Sequence, residues 1–270
     1  MPSDKTATTA TTKTPPADLA VTLRALGLWR LAEDLSDFVA RATKSRWSPA
    51  QMIEEIARIE TLERARKSAE RRLSRARIGR FKPMADFDWN WPKKIDRDAV
   101  DRVLALSFVE RSENVILVAP QGVGKSMIAK NIAHAAVLAG QTALFMTASD
   151  ILLDLSKQET ARALERRLQQ YARPHVLCID EIGYLSYDNH AADLLFQIVS
   201  RRYERRPIVM TTNLSFSDWS TVFPNAACAT ALIDRLTHHA EIIPIEGESY
   251  RKREAELDQK ARRQGKNGAR

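Results

Sequence analysis

The chain has 270 residues, of which 44% are hydrophobic and 28% charged, a composition that excludes wholesale disorder and suits one medium domain with a smaller appendage. The net charge of +8 at pH 7 favours a polyanionic partner such as nucleic acid or nucleotide phosphate. No apolar run is long enough to span a membrane and only two cysteines occur, Cys178 and Cys228, so we expect a cytoplasmic protein without a membrane partner or disulfides.

The positive charge is concentrated in two segments. Residues 41–82 contain 13 Lys and Arg against 5 Asp and Glu, and residues 250–270 contain 8 against 3. The remaining stretches are mildly acidic. We interpret residues 1–17, rich in Thr and Ala, as a disordered tail, and residues 251–270 as a basic C-terminal tail.

Residues 18–82 are predicted to form a small all-α domain. Gly27 is expected to interrupt its first helical stretch. A second helix should start at Ser48, where a Ser48–Gln51 capping box surrounds Pro49. The expected apolar stripes recur at helical spacing: Leu19, Leu23, Leu26, Leu31, Leu35 and Phe38 in the first stretch, and Met52, Ile53, Ile56, Ile59 and Leu62 in the second.

Beyond Leu62 the second helix becomes rich in arginine. Only Glu70 interrupts the cations that follow Glu63, whereas a merely solvated helix face usually mixes both signs. A solvated face remains the alternative, but we expect contact with the phosphates of double-stranded DNA. The residues predicted to make it are Arg64, Lys67, Arg71, Arg72, Arg75 and Arg77.

A linker at residues 83–98 contains Phe87, Trp89 and Trp91, which we expect to pin it onto the following domain. Residues 99–250 then alternate apolar strands with helical segments, the pattern of an α/β fold with a parallel sheet. The linker aromatics could instead contact a nucleic-acid base.

A phosphate-binding loop follows the apolar strand 114–118. Its sequence, APQGVGKS at 119–126, leads directly into a helix, the context in which such a loop binds nucleotide phosphates. Gly122 and Gly124 let successive N–H groups converge on the phosphates, Lys125 reaches the β- and γ-phosphates, and Ser126 offers a hydroxyl to Mg²⁺. Ala119 replaces the usual first glycine, which is tolerable if its φ stays negative. ATP and Mg²⁺ are the expected cofactors, and the expected nucleotide-binding residues are Pro120, Gln121, Gly122, Val123, Gly124, Lys125, Ser126 and Met127.

Polar residues end the later strands. Asp180 is expected to hold Mg²⁺ together with Ser126, and Glu181 to activate the attacking water, which predicts ATP hydrolysis. Asn213, with Thr212, could sense the γ-phosphate. Arg235 is interpreted either as an arginine finger inserted into a neighbouring subunit or as the partner of Asp234. His238 and His239 lack matching ligands in the sequence, so no zinc site is expected.

Several longer motifs resemble the IstB family of transposition helper ATPases. They are IDEIGYLSYD at 179–188, TTNLSFSDW at 211–219, LIDRLTHHAEIIPIEGESYR at 232–251, and the loop at 119–126 with the preceding FDWN. The likeness covers about residues 18–251. It implies an AAA+ core with a five-stranded parallel sheet, related to DnaC-type helicase loaders and to DnaA, behind a helical DNA-binding domain.

The resemblance also implies an activity. Such a protein assembles on DNA as an ATP-dependent homo-oligomer, remodels the target, and assists the transposase of the same insertion element. Glu181, Asn213 and Arg235 then take the catalytic, sensor and arginine-finger positions. Because about 25 residues follow the last predicted strand, we expect no helical lid, and slow hydrolysis that depends on a neighbouring subunit.

Two cations between the second and third strands, Arg162 and Arg166, lie one helical turn apart, and we expect them to face DNA phosphates. An exposed helix without that role is the alternative. For the whole chain, a DnaC-like replicative helicase loader is the second interpretation. A small-molecule P-loop kinase is the third, but it has no use for so basic a helix.

Overall fold

The computed structural model describes residues 17–184, 186–224 and 226–256. Of the predicted tail at 1–17, only Ala17 lies inside this range, where it begins the first helix, and residues 257–270 of the basic tail lie outside it. The chain divides into two compact units, with the boundary between Glu70 and Arg71. Within the described ranges, no helix is both long and apolar enough to cross a membrane.

The first unit is helical, as predicted. Its elements are α1 (Ala17–Ala25), α2 (Trp29–Glu33), α3 (Leu35–Lys44) and α4 (Pro49–Ala76), the last of which continues past the boundary. Gly27 separates α1 from α2 at a φ of +79°, a conformation that favours glycine. The capping box is confirmed: Ser48 N–H donates to Gln51 Oε1 (2.8 Å), and Gln51 N–H donates to Ser48 Oγ (3.3 Å).

The apolar stripe of this unit is only partly buried. Leu31, Leu35 and Phe38 form the core. Four residues of the predicted stripes are instead exposed, because the break at Gly27 ends the first helix early and because the α4 stripe is narrower than expected. They are Leu19, Leu26, Ile53 and Leu62.

The second unit has five parallel strands in the order β2-β3-β4-β1-β5, which confirms the predicted α/β class. After α5 (Arg97–Leu104) and α6 (Ser107–Glu110), strands and helices alternate. They are β1 (Asn114–Val118), α7 (Lys125–Leu138), β2 (Ala143–Thr147), α8 (Ala148–Ser156), α9 (Ala161–Ala172), β3 (Val176–Ile182), α10 (Asn189–Arg202), β4 (Ile208–Thr212), α11 (Ala226–Thr237) and β5 (Ala240–Pro244).

Helices cover both faces of the sheet, because successive strand residues point to opposite sides. On β1, Val115 and Leu117 pack into one apolar cluster with α5 and α7, while Ile116 packs into another with α8 to α11. The strands are therefore almost wholly apolar, and polar groups are confined to their ends.

Residues 76–95 belong to the second unit and pack against its core. Ala76 and Ile78 are buried in its core, and Phe87 is buried beside them, as expected of the linker aromatics. Lys94 and Glu246 exchange backbone hydrogen bonds of 2.9 and 3.2 Å in an antiparallel bridge. The compact second unit thus begins upstream of the predicted domain end at residue 82.

One buried arginine ties together the starts of two strands. The side chain of Arg202 is 1% exposed, and burial lowers its pKa to about 9. It donates hydrogen bonds only to backbone carbonyls at the entries to β3 and β4. These carbonyls belong to Tyr171, Ala172, Pro174, His175 and Pro207. The starts of β3 and β4, the strands that carry Asp180 and lead to Asn213, are thereby held together.

Candidate nucleotide-binding site

The loop between β1 and α7 adopts a conformation that requires its glycines. Gly122 and Gly124 have φ values of +78° and +106°. A Cβ on Gly124 would lie 2.6 Å from a ring carbon of Phe87, and one on Gly122 would lie 2.9 Å from Ser249 Cβ. Ala119, by contrast, keeps a negative φ, so the missing first glycine causes no strain. α7 begins at Lys125, and its N-terminus faces the loop.

Lys125 is half-buried and held by the loop itself. Its Nζ donates to the carbonyls of Ala119 (2.6 Å) and Pro120 (2.7 Å). Burial lowers the pKa of Lys125 to about 8, Asp180 and Glu181 act against this shift, and the positive charge of Arg251 adds to it. The ammonium is therefore poised to gain from a nearby polyanion.

Asp180 lies at the end of β3, 5% exposed, directly below the loop. Its Oδ1 accepts hydrogen bonds from Ser126 Oγ (3.0 Å) and Thr211 Oγ1 (2.5 Å). A carboxylate beside a hydroxyl forms a pair of hard oxygen ligands of the type that Mg²⁺ prefers, so these residues fit the predicted metal.

Glu181 is held in an unusual backbone conformation. The pairing of β3 with β4 is irregular between Ile179 and Ile182, and Glu181 lies at a φ of +62°. Such a conformation costs about 1–3 kcal/mol in a residue other than glycine and persists only where its surroundings enforce it. The Glu181 N–H donates to Thr211 Oγ1 (2.9 Å), and its side chain faces the cavity above the loop.

Asn213 follows β4 and lines the same cavity. Thr212, expected to assist Asn213, is not among the residues that line the cavity, and its hydroxyl bonds with the backbone of Leu214. Thr211 contacts Asp180 instead. Strand alternation explains the difference, since neighbouring residues of β4 point to opposite faces and only Thr211 faces β3 at Asp180.

The phosphate-binding loop, Glu181, Thr211 and Asn213 line a cavity of about 490 Å³ at the carboxyl ends of the strands, where open α/β sheets bind their ligands. Asp180 is not part of this lining and contacts it through Ser126 and Thr211. The lining includes every predicted nucleotide-binding residue from Gln121 to Met127, whereas Pro120 contributes its carbonyl to Lys125. The basic lining residues outnumber the acidic ones. The bases are Arg80, Lys82, Lys125, Lys130 and Arg251, and the acids are Asp86, Asp88 and Glu181.

Arg235 does not line this cavity. It projects from α11 to α10, donating a hydrogen bond to Ser200 Oγ, with its guanidinium 4.2 Å from the centre of the Phe196 ring. Its partners are therefore not Asp234, the alternative drawn from the sequence.

Acidic neighbours on α4 neutralise some of its cations. Glu63 forms salt bridges with Arg66 (2.7 Å) and Lys67 (3.3 Å), and Arg66 also pairs with Glu70. Arg64 donates to the Gly27 carbonyl at 3.3 Å. The run of positive charge seen in the sequence is therefore partly neutralised in the structure, because acidic residues one helical turn away pair with the cations.

The arginines that remain exposed lie near the end of α4 and on α9. Arg71 and Arg75 are one helical turn apart, and Arg77 follows the helix, donating to Met146 Sδ. Arg72 is half-buried. On α9, Arg162 and Arg166 are exposed, whereas their neighbour Arg167 is held by Asp154 in a bidentate pair.

Three possible metal ligands meet on the surface of the second unit. Glu204 lies beside His238 and His239, with carboxylate-to-ring distances of 3.7 and 3.8 Å. The sequence contained no such match because Glu204 is far from both histidines in the chain. All three side chains are exposed.

Sequence reasoning missed several residues of the cavity. Thr211 was part of the quoted TTN motif, but nothing in the motif distinguished it from Thr212. The aromatics Phe87 and Trp91 were expected to pin the linker or to contact a nucleic-acid base, and Tyr250 and Arg251 lie at the edge of the predicted tail. Phe87 belongs to the FDWN motif, which Trp91 follows directly, and Tyr250 and Arg251 belong to the GESYR motif, so the resemblance of both motifs to one family was the available signal.

The chain matches a family model described as IstB-like ATP binding protein over residues 21–258. It is 38% identical to the insertion sequence IS21 ATP-binding protein of Pseudomonas aeruginosa, covering 88% of this chain and 89% of that protein. It is 34% identical to the corresponding protein of insertion sequence IS5376 from Geobacillus stearothermophilus, covering 85% and 91%.

Among solved structures, the crystal structure of DnaI is similar to 64% of this chain and 91% of its own, with a TM-score of 0.52 and 20% sequence identity. At that identity the likeness concerns the fold alone. It agrees with the expected α/β P-loop fold.

Proposed function

Because this chain belongs to the IstB-like ATP-binding protein family, we propose that it is an ATPase that assembles on double-stranded DNA and assists the transposase of an insertion element. The observation that supports the proposal best is the arrangement around Asp180. There the phosphate-binding loop, Glu181 and Thr211 line one cavity, and the Asp180 carboxylate behind them accepts hydrogen bonds from Ser126 and Thr211. Free thiols at Cys178 and Cys228 agree with a cytoplasmic setting.

Hydrolysis is assigned to the residues above the loop. Glu181, with its backbone fixed by Thr211, accepts the proton of the attacking water, and Asn213 orients that water or the γ-phosphate. Lys125 exchanges its two carbonyl partners for phosphate oxygens. Ser126 and Asp180 would hold Mg²⁺, whose charge would stabilise the charge developing on the phosphates in the transition state.

Phosphate release by Glu181→Gln tests this assignment. The substitution removes the base but keeps the size and polarity of the side chain, so we expect at least about a hundredfold slower hydrolysis with ATP affinity retained. Gln197→Glu, which changes an amide on α10 outside the cavity, is a matched control. Hydrolysis at the wild-type rate by Glu181→Gln would overturn the catalytic role.

DNA binding is assigned to exposed arginines. Arg71 and Arg75 project from one face of α4 and have no hydrogen bond or ion pair with a described residue, and Arg162 and Arg166 share that property on α9. Exposed guanidinium groups at this spacing suit phosphates, and the contact should be largely independent of base sequence. Arg64, Lys67, Arg72 and Arg77 remain proposed contacts, but their local interactions weaken the case.

We assign oligomerisation to ATP binding and a trans role to Arg235. Mixing two inactive variants tests both points. Arg235→Ala retains Glu181 and lacks the finger, whereas Glu181→Gln retains the finger and lacks the base. If Arg235 acts in trans, mixed assemblies contain sites with both groups, and hydrolysis recovers to a measurable fraction of the wild-type rate.

A purely intrachain role for Arg235, holding α10 through Ser200, predicts no recovery on mixing. Thermal unfolding of Arg235→Ala separates this outcome from simple misfolding. An unchanged melting temperature with recovery on mixing supports the trans role, and a lowered one without recovery contradicts it.

The transposase partner is inferred from the relatives, two of which are named as proteins of insertion sequences. A DnaC-like helicase loader shares the fold, so the likeness to DnaI does not separate the two functions. A strand-transfer assay with the transposase of an IS21-type insertion element does. Stimulation that requires ATP supports the proposal, and loading of a replicative helicase instead supports the alternative.

A further inference from the structure

The chain that follows β5 returns to the phosphate-binding loop. Tyr250 N–H donates to the Gly122 carbonyl at 2.9 Å. Ser249 packs so closely on Gly122 that no side chain could replace its hydrogen. Ser249 Oγ also accepts from the Lys252 N–H, at the start of a helical segment covering residues 250–256. We call residues 246–254 the strap.

The strap is fastened along its length to the linker. Glu246 forms a backbone bridge with Lys94. Gly247 packs closely on Pro92, since a Cβ placed on this glycine would lie 3.2 Å from Pro92 Cα. The Trp91 Nε1–H donates to the Glu248 carbonyl at 2.8 Å. These contacts fix the backbone on both sides of residues 249–251, so the side chain at 251 emerges at a defined place.

Two arginines of the strap differ in their surroundings. Arg253 pairs with Asp88 at 3.0 Å, and its guanidinium lies 4.4 Å from the centre of the Trp91 ring, so its role is structural. Arg251 lines the nucleotide cavity, is exposed, and makes no hydrogen bond or ion pair with a described residue. It is an exposed cation, free of local partners among the described residues, at the edge of the nucleotide cavity.

The position of Arg251 within the cavity follows from its neighbours. Tyr250, the residue before it, bonds to Gly122, and Arg251 lines the cavity together with Lys125 and Glu181, so it lies close to the phosphate-binding loop. The aromatic wall formed by Phe87 and Trp91 lines the cavity on the linker side. A guanidinium beside the loop lysine offers a planar pair of donors to a terminal phosphate.

We propose that Arg251 is a phosphate-binding residue supplied in cis by the strap, and that it distinguishes ATP from ADP by contacting the γ-phosphate. The inference rests on the proposed ATPase function. It gives the strap a role in phosphate recognition in addition to the roles of the phosphate-binding loop, Asp180 and Glu181. It also explains why the strap is anchored at Gly122.

Binding of fluorescent ATP and ADP to full-length Arg251→Ala tests the proposal. We expect affinity for ATP to fall about tenfold and affinity for ADP to change less than about twofold, because one charge-assisted contact to the γ-phosphate is lost. Arg251→Lys should restore part of the difference. The matched control is Lys252→Ala, which removes a neighbouring exposed cation, and both of its affinities should stay at wild-type values.

Arg253→Ala provides the comparison for a structural role. Loss of its contacts with Asp88 and Trp91 should loosen the strap and weaken ATP and ADP equally. If Arg251→Ala also weakens both nucleotides equally, or neither, the γ-phosphate assignment is wrong although the ATPase proposal stands. If the wild-type chain binds neither nucleotide, the proposed function itself fails.

Discussion

The nucleotide cavity and the exposed face of α4 both present cations, but in opposite ways. In the cavity, Lys125 is half-buried, held by two carbonyls, and its pKa is lowered to about 8. On α4, Arg71 and Arg75 project into solvent. A fixed, desolvated cation selects one polyphosphate geometry, whereas exposed arginines adapt to a repeating phosphate backbone. The two regions therefore suit two different anionic ligands.

Lys125→Ala should produce the largest difference between its effect on ATP affinity and its effect on DNA affinity. Loss of the loop ammonium is expected to weaken ATP binding at least about a hundredfold, since charge-assisted hydrogen bonds to two phosphates disappear. DNA affinity measured without nucleotide should stay within about twofold. Isothermal titration with ATP and fluorescence anisotropy with DNA measure the two effects.

Lys157→Ala, an exposed lysine at the end of α8, is the matched control and should affect ATP binding little. Retention of wild-type ATP affinity by Lys125→Ala would contradict the assignment of the loop. Equal loss of nucleotide-free DNA binding would show that the two regions are not separate.

Combined Arg71→Ala and Arg75→Ala substitution should weaken DNA binding and leave ATP binding unchanged, the reverse of Lys125→Ala. We expect DNA affinity to fall by roughly 10–30-fold and the slope of log affinity against log salt to decrease by about 2, because two phosphate contacts are lost. ATP affinity should not change. The pair Arg66→Ala with Glu70→Ala removes an ion pair from the same helix without changing net charge, so it should leave DNA binding intact.

An equal loss of DNA affinity in both double variants would refute the distinction between paired and exposed arginines. Substitution is preferable to deletion of residues 1–82, since that deletion also removes Ala76 and Ile78 from the core of the second unit.

Above pH 7, where the terminal phosphate of ATP is already deprotonated, the pH dependence of ATP binding should report on Lys125. Phosphate favours the protonated ammonium, so the pKa of Lys125 should rise on binding from its value of about 8 in the free protein. Affinity is then highest below pH 8 and falls by about tenfold between pH 7 and 9, as the free lysine loses its proton. Titrations at constant ionic strength measure this, and a flat profile contradicts it.

Thr211→Val should have the smallest effect. The valine keeps the shape but removes the hydroxyl that donates to Asp180 and accepts from the Glu181 N–H. We expect hydrolysis to fall about fivefold with little change in ATP affinity, because one positioning hydrogen bond is lost. Thr212→Val, which loses only local bonds to Leu214, is the control. Equal hydrolysis rates for the two variants would contradict a positioning role of Thr211 between Asp180 and Glu181.

Sequence patterns predicted the sheet and the loop because both depend on local signals. Apolar strands ending in polar residues, and glycines before Lys125, are recorded in short stretches of chain. Parallel strands bring their carboxyl ends to one edge of the sheet, so Asp180 and Asn213 were expected near the loop without a structure.

What could not be predicted depended on contacts between distant segments. Nothing in the order of residues indicates that Thr211 rather than Thr212 faces Asp180, that Glu204 meets His238, or that the strap returns to Gly122. The stripe residues Leu26 and Ile53 were misjudged for a related reason. Helical spacing reports which residues share a face, but packing decides how wide a face is buried.

We propose that occupancy of the nucleotide cavity controls assembly on DNA. The DNA affinity of the full-length protein with a non-hydrolysable ATP analogue, with ADP and without nucleotide, at one salt concentration, tests this directly. We expect tight, cooperative binding with the analogue, the same behaviour for Glu181→Gln with ATP, and weak, non-cooperative binding with ADP or without nucleotide. Identical DNA affinity in every nucleotide state would contradict it.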